Sequence, residues 1–401
     1  MRQINRPASQ HEHKSVDARL LGGQFAGNIT SCPYPNSCNG PNGVLSFYNG
    51  ASGKHEVWAG DGPVPGPGET VSTTCTARQA PSPINGPPTS AYSTDCSTVK
   101  VIDFFTGTLI QNIPTGGLYR DDESCYDPVD HLFQIANDSD LPYPYVNFIS
   151  TDTYKVVKQI SFDGAPGHGP AATNGIEACQ WNPRNGLIYR NVPEVNGDGN
   201  DDAPGHVVLF DPKTMTIVKE FVIPLDQCAG PQGIAIGPAP EILLGCNAAG
   251  PPEVSTSTGA PPCTVSGGVP PNLTGTCTGS GPQNTVVIDE NDGHVITTLA
   301  NQGGNDEVWF NPGNGLYFLA EGENTTQAQL GIVSSYPPIN TVQDIVVATQ
   351  YKGHAHSVAA DPRSGEVYFP IPGNLDVTGN TAPNPCGANA SQGCIAIYAT
   401  Q

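Results

Sequence analysis

The chain is short of charge, and what charge it has is one-sided. Only 13% of its 401 residues are Asp, Glu, Lys or Arg, with 37 acids against 16 bases and a formal charge of −21. Such an excess repels phosphate backbones and anionic lipid, which argues against nucleic acid and membranes as partners. No apolar run approaches the roughly 20 residues that span a bilayer. No CxxC pair or Cys/His cluster is present for zinc or dithiol chemistry. A G-x-S-x-G elbow, a phosphate loop and a dinucleotide fingerprint are also missing. Their absence sets aside serine-hydrolase, nucleotide-dependent and nicotinamide-dependent readings. The opening MRQINRPASQHEHKS has no apolar core of a secretory signal, so any such signal is expected to have been removed.

What is abundant is turn chemistry and cysteine. The 47 glycines and 40 prolines mean many turns and few exposed helices. The 12 cysteines are even in number and mostly near a neighbour in the chain. That is the pattern of disulfides formed in an oxidising compartment, secreted or periplasmic. Local pairs are Cys32–Cys38, Cys75–Cys96, Cys263–Cys277 and Cys386–Cys394; the others are not assigned by spacing. N-glycosylation triplets at Asn28, Asn137, Asn272, Asn324 and Asn389 agree with a secreted glycoprotein.

The chain is organised around a repeated hairpin. Gly175–Glu194 (GIEACQWNPRNGLIYRNVPE) reads as strand, tight turn, strand, because Asn-Pro and Asn-Gly supply the turn and β-branched and aromatic residues flank it. Copies lie at Asn42–Ala59, Asp122–Ile135, Gln232–Asn247, Asp306–Glu321 and His356–Pro370. A second hairpin type alternates with it, at Val99–Ile113, Tyr145–Ile160, His206–Val222, Thr285–Leu299 and Gln329–Ala348. Each pair of hairpins supplies four antiparallel strands, the sheet of one propeller blade. The predicted fold is therefore all-β: one six-bladed β-propeller over residues 20–401 behind a flexible tail, 1–19.

The last segment, Cys394–Thr400, matches half of a second-type hairpin. The N-terminal strand near Leu20–Ile29 is expected to supply the other half and so close the ring. Three Pro/Gly-rich stretches, 61–96, 247–282 and 375–393, are expected as long surface loops bearing cysteines. The alternative fold is an open pair of β-sandwich sheets.

The strings VKVIDFFTGTLIQNI and GPQGIAIGP…EILLGCN resemble YVTN-type propeller repeats. Glu177 in E-A-C-Q-W-N-P, Asn42 in P-N-G-V-L and Asp306 in D-E-V-W-F-N-P resemble the metal-holding motifs of the gluconolactonase and senescence-marker-protein family. The blade order differs from that family's. The resemblance implies a central divalent metal, Ca2+ first, and hydrolysis of a small lactone, ester or phosphotriester, as in the similar six-bladed hydrolases.

The residues support the same site independently. Equivalent positions of the inner strands converge on a propeller axis, and here they hold Asn42, Asp122, Glu177, Gln232, Asp306 and His356. Converging carboxylates raise one another's pKa, and a hard cation relieves this. Asp306, His356 and Glu177 are the candidate catalytic groups, and a small molecule or glycan in the channel is the candidate ligand. The alternative is a polar channel without hydrolytic chemistry: a lyase on a carbohydrate or phenolic ligand, or a binding or scaffold protein.

Strand alternation places Glu123 and Glu307 off the axis, although a register error of one would exchange them with Asp122 and Asp306. His354 shares a strand face with His356, and His168 and His206 fall in Gly-rich stretches. The acidic Glu194–Asp202 loop (EVNGDGNDD) has calcium-loop composition without the closing Glu or flanking helices of an EF-hand. Trp58, Trp181 and Trp309 are expected to pack between blades.

Overall fold

A computed structural model describes residues 42–62, 75, 92, 96–199, 201–248, 263–269, 272–277, 284–300, 302–322, 329–335, 342–346, 356–371 and 394–399. Every regular element among the described residues is a β-strand, and each alternating hairpin appears where its turn residues put it. Blade 1 is β1 (Asn42–Asn49), β2 (Lys54–Asp61), β3 (Thr98–Asp103) and β4 (Leu109–Pro114). Blade 2 is β5 (Asp122–Asp127), β6 (Leu132–Asn137), β7 (Tyr145–Ser150) and β8 (Lys155–Ser161). Blade 3 is β9 (Cys179–Trp181), β10 (Ile188–Val192), β11 (His206–Asp211) and β12 (Thr216–Val222).

Blade 4 starts with β13 (Ala229–Ile236) and β14 (Glu241–Ala248). A separate hairpin, β15 (Cys263–Val269) and β16 (Asn272–Cys277), precedes its outer strands β17 (Asn284–Asp289) and β18 (Val295–Ala300). Blade 5 is β19 (Val308–Asn311), β20 (Leu316–Glu321), β21 (Gln329–Ser334) and β22 (Val342–Val346). Blade 6 shows three strands, β23 (Ala359–Ala360), β24 (Glu366–Ile371) and β25 (Cys394–Ala399). The inner strands touch in chain order from β1 to β23. The tail at 1–19, the proposed closing strand at Leu20–Ile29 and His354 lie outside the described residues.

The sheets stack through separate apolar cores, and the period-2 alternation of each strand divides its side chains between two of them. In blade 3, Ile188, Val208 and Phe210 pack with Phe148, Ile160 and Phe162 of blade 2. Their neighbours Tyr189, Val207 and Leu209 pack with Ile234, Leu244 and Val286 of blade 4. Similar cores join blades 1 and 2 around Trp58 and Phe133, blades 4 and 5 around Leu243 and Tyr317, and blades 5 and 6 around Phe318 and Phe369. Trp58 and Trp181 pack as expected. Trp309 does not: Val308 takes the inward position, and alternation leaves the indole 37% exposed.

Three disulfides are formed among the described residues, and no described cysteine is free. Cys75–Cys96 is the expected pair. Cys228–Cys246 joins β14 to the residue that precedes β13, and Cys125–Cys179 links the inner strands of blades 2 and 3. Cys263 faces Cys277 across the β15–β16 register, in a stretch expected to be a loop. The pairs Cys32–Cys38 and Cys386–Cys394 lie outside the described residues. Asn137 is fully buried and bonded to Ser97 and Asn147, so the folded chain offers no glycan site there.

Antiparallel order fixes which loops share a face. The inner strand starts on one face, and the link from second to third strand returns to that same face. Among the described residues, 138–144 and 193–199 with 201–205 are such links, so both rise from the face where the candidate site residues open their strands.

Candidate functional site

The inner strands begin irregularly. In blades 1, 2 and 4 the register to the second strand shifts between Asn42 and Val44, Asp122 and Ser124, and Pro231 and Ile234. In blade 3 the Glu177 N–H donates to the Asn191 carbonyl while the Asn191 N–H donates to the Ala178 carbonyl, so two residues again oppose one. Such bulges re-aim the side chains that precede them. Space is tight at the extra residue. A Cβ on Gly43 would lie 2.6 Å from the Glu123 nitrogen, and one on Gly233 would lie 2.9 Å from the Asp306 carbonyl. Blade 2 places Glu123 at this position, with φ +50°. Blade 5 places Glu307 there.

This geometry corrects the expectation from strand alternation. Glu123 and Glu307 belong to the axial cluster, because the bulge breaks the period-2 rule. Burial raises the Glu123 carboxyl well above the usual range, with further repulsion from Asp122, Glu307, Glu177 and Asp306. Burial also lifts Glu177 well above its ordinary value, and Asp306, Asp138 and Asp122 add to this against Arg120. Burial raises Asp122 to about 7, opposed by Arg120 and reinforced by Asp138 and Asp306. Glu307 also reaches about 7, through burial and the charges of Asp306 and Asp122, opposed by Ser357 and His356.

Asp122, Glu177, Asp306 and His356 are thus electrostatic neighbours, as the register predicts. His356 Nδ1 contacts Asp306 Oδ2 across blades 5 and 6. Gln232 is part-buried, and its Oε1 has no hydrogen-bond partner. Its carbonyl and that of Gly233 accept from Asn191 Nδ2 at 2.7 and 2.9 Å. Asn42 opens β1 in the same register, with its side chain outside the described residues. His168 bonds Asp163 and His206 approaches Glu220; neither joins the axial cluster.

Two arginines were not singled out from the sequence. Arg120 sits just before β5. Its guanidinium pairs with Asp122 Oδ2 at 3.2 Å and Asp138 Oδ2 at 3.1 Å. Burial works against its charge, but Asp138 and Asp122 prevail and raise its pKa. The only signal was a base opening an acidic run, RDDE.

Arg190, on β10, is fully buried behind the cluster. It donates to Gln134 Oε1 at 2.8 Å, to the Glu177 carbonyl at 2.8 Å and to the Glu123 carbonyl at 2.9 Å. It therefore braces the backbone of two site residues from behind. Burial pushes its pKa down to about 10, against the pull of Glu123 and Glu177, so it remains charged at neutral pH.

Six carboxylates, Asp122, Glu123, Asp138, Glu177, Asp306 and Glu307, thus face two arginines and one imidazole. The unsatisfied atoms nearby include the acceptors Gln232 Oε1, Asn191 Oδ1 and Asp138 Oδ1, beside the donors Gln134 Nε2 and Trp181 Nε1. The arrangement is suited to a cation. It is a wide site, however. Among the described residues, only Glu194, Asp198 and Asp202 bring three carboxylate or imidazole donor atoms within 4.8 Å of one another, and they are not on the axis.

No protein-family model matches the chain, and no curated protein matches it. Among solved structures, 81% of the chain is similar to 81% of a chain in a mitotic checkpoint complex, at TM-score 0.48 and 10% identity. Further similarities are to the Pan2 WD40 domain of Neurospora crassa and to Kuenenia stuttgartiensis hydrazine synthase. The first covers 82% of this chain and 85% of that one, at TM-score 0.44 and 12% identity. The second covers 73% and 76%, at TM-score 0.44 and 14% identity. Likeness at this level carries no activity, ligand or partner across to this chain.

Proposed function

We propose that the axial cluster takes up a hard divalent cation, Ca2+ first, and uses it to hydrolyse a small lactone, ester or related substrate. The observation that supports this is the mutual crowding of buried carboxyls, which burial and repulsion drive to hold protons that a divalent cation would displace. Glu177, Asp306, Asp122, Gln232, Asn42 and His356 are the candidate ligands; carboxylate and amide oxygens are the donors such ions prefer. A cation there would polarise a carbonyl or phosphoryl oxygen, or a bound water.

The chain's own groups suit proton transfer. Glu307, which is not among the candidate ligands, is raised to about 7 in the ion-free chain, near neutrality, where a general acid or base works best. Asp306 orients the His356 imidazole through its contact with Nδ1. The three disulfides support placement in an oxidising, extracellular compartment.

A second reading, a non-hydrolytic binding or lyase propeller, is favoured by Arg120. It already serves Asp122 and Asp138 as a built-in cation, and the long Pro/Gly-rich insertions of the sequence suit a glycan or macromolecular ligand. A lactone and aryl-ester panel with Ca2+ or with chelator separates the two. Turnover that needs the ion and falls at least ~10-fold in Asp306→Asn supports the hydrolase. Calcium binding without turnover leaves the binding propeller.

A further inference from the structure

The loop between β10 and β11, residues 193–205, stands on the same face as the axial site but builds its own side-chain cluster. Glu194, Asp198 and Asp202 each bring one carboxylate oxygen within 4.8 Å of the others. Asp198 and Asp202 are part-exposed, whereas Glu194 is completely buried. Glu194 Oε2 accepts from the Gly199 N–H at 2.9 Å and the Asp201 N–H at 3.2 Å. Its Oε1 is buried and receives no N–H or O–H donor, with the Asp202 carboxyl as its neighbour. A buried carboxylate oxygen left unmatched is destabilising, so the fold tolerates here a defect that a ligand would remove.

The loop is also shaped around that carboxyl. A Cβ at Gly197 would lie 1.4 Å from Glu194 Oε1, so residue 197 has room only for glycine. The Val195 N–H donates to the Pro204 carbonyl and the Asn196 N–H to the Ala171 carbonyl, tying the loop to the segment that precedes β9. Asp201 stays out of the cluster. Its Oδ1 accepts from Asn174 at 2.8 Å and its Oδ2 from Asn247 of β14 at 3.1 Å. The adjacent acid is therefore engaged by amide donors, while Glu194 Oε1 has none.

We propose that Glu194, Asp198 and Asp202 form a calcium site, separate from the axis, that pins this rim loop between blades 3 and 4. The all-oxygen donor set selects a hard ion. Two part-exposed carboxylates leave a path for entry and room for the water that completes a shell of 6–8 oxygens. The site stands whether or not the axial reading does.

The test is calorimetric titration of the chelator-treated, full-length protein with CaCl2. The variants are Asp198→Asn and Asp202→Asn at the loop, with Asp306→Asn as the axial control. The two loop variants alter part-exposed side chains, so they fold, and a thermal melt verifies it. Each is expected to weaken one binding event at least ~10-fold. Asp306→Asn is expected to leave that event unchanged. Limited proteolysis should cut within 196–204 faster in EDTA than in Ca2+ for the wild type, and at one rate in Asp198→Asn. Loop variants that bind calcium like the wild type, or a wild type with no calcium uptake at millimolar ion, would overturn the proposal.

Discussion

Replacing Arg190 by Met should destabilise the protein strongly, because it removes the brace behind the axial carboxylates. The guanidinium serves three oxygens that have few other donors nearby: Gln134 Oε1 and the carbonyls of Glu177 and Glu123. A buried acceptor left unmatched costs about 1–3 kcal/mol. Relaxation of the side chains and the desolvation no longer suffered by a buried cation offset part of this, so a net loss of about 3–5 kcal/mol is expected. In a chain of this size each kcal/mol shifts Tm by about 2 °C, so Tm should drop by roughly 6–10 °C. Arg190→Lys should recover little, because one ammonium cannot span three acceptors held apart by the planar fork. Differential scanning calorimetry of the three proteins is the assay. A Met variant melting within about 1 °C of the wild type, or a Lys variant equal to it, would refute the bracing argument.

Charge crowding on the axis sets a pH dependence. Asp122 and Glu307 are raised to about 7 in the folded chain from 3.8 and 4.5. The fold therefore holds protons that the unfolded chain has released, and it gains stability at low pH that is lost as pH rises towards about 7. In EDTA, Tm should be higher at pH 5 than at pH 8, and the Asp122→Asn/Glu307→Gln double variant should flatten that difference; an unchanged slope would count against the crowding. The Cys125–Cys179 bridge closes 54 residues, for which chain entropy gives about 4 kcal/mol, against about 3 kcal/mol for the 18 residues of Cys228–Cys246. Paired Cys→Ser variants compared by urea denaturation should show that order. Glu177→Gln should bind Ca2+ at the axis more weakly, by at least ~10-fold in Kd, while melting at or above the wild-type temperature in EDTA, since it removes a carboxyl whose ionised form burial and its neighbours disfavour.

The blades were legible because turn residues and period-2 patterning are local signals. Ile188 and Tyr189 announce a strand whose neighbours face opposite cores, and that is how they pack. The axial register was legible for Asp122, Glu177, Asp306 and His356 because the same hairpin recurs. What failed were features fixed by three-dimensional closure. The bulge that turns Glu123 into the cluster depends on the backbone of the next blade, which leaves no local mark. Arg190 lies in an ordinary strand, IYRNV, and gains its role only because β5 and β6 pass behind it. Cys125 and Cys179 are far apart in the chain and meet only when blades 2 and 3 stack. Trp309 looked like a core residue by type, but the position one earlier, Val308, takes the inward direction.

Whether the axial carboxylates hold a cation is tested most directly by diffraction from crystals grown with CaCl2 and recorded where calcium scatters anomalously. An anomalous peak is expected on the axis, coordinated by Glu177 and Asp306 with the Gln232 amide oxygen, and no such peak in Glu177→Gln crystals. An axis showing only water and the Arg120 guanidinium, in crystals that carry the ion at Glu194, Asp198 and Asp202, would contradict that expectation.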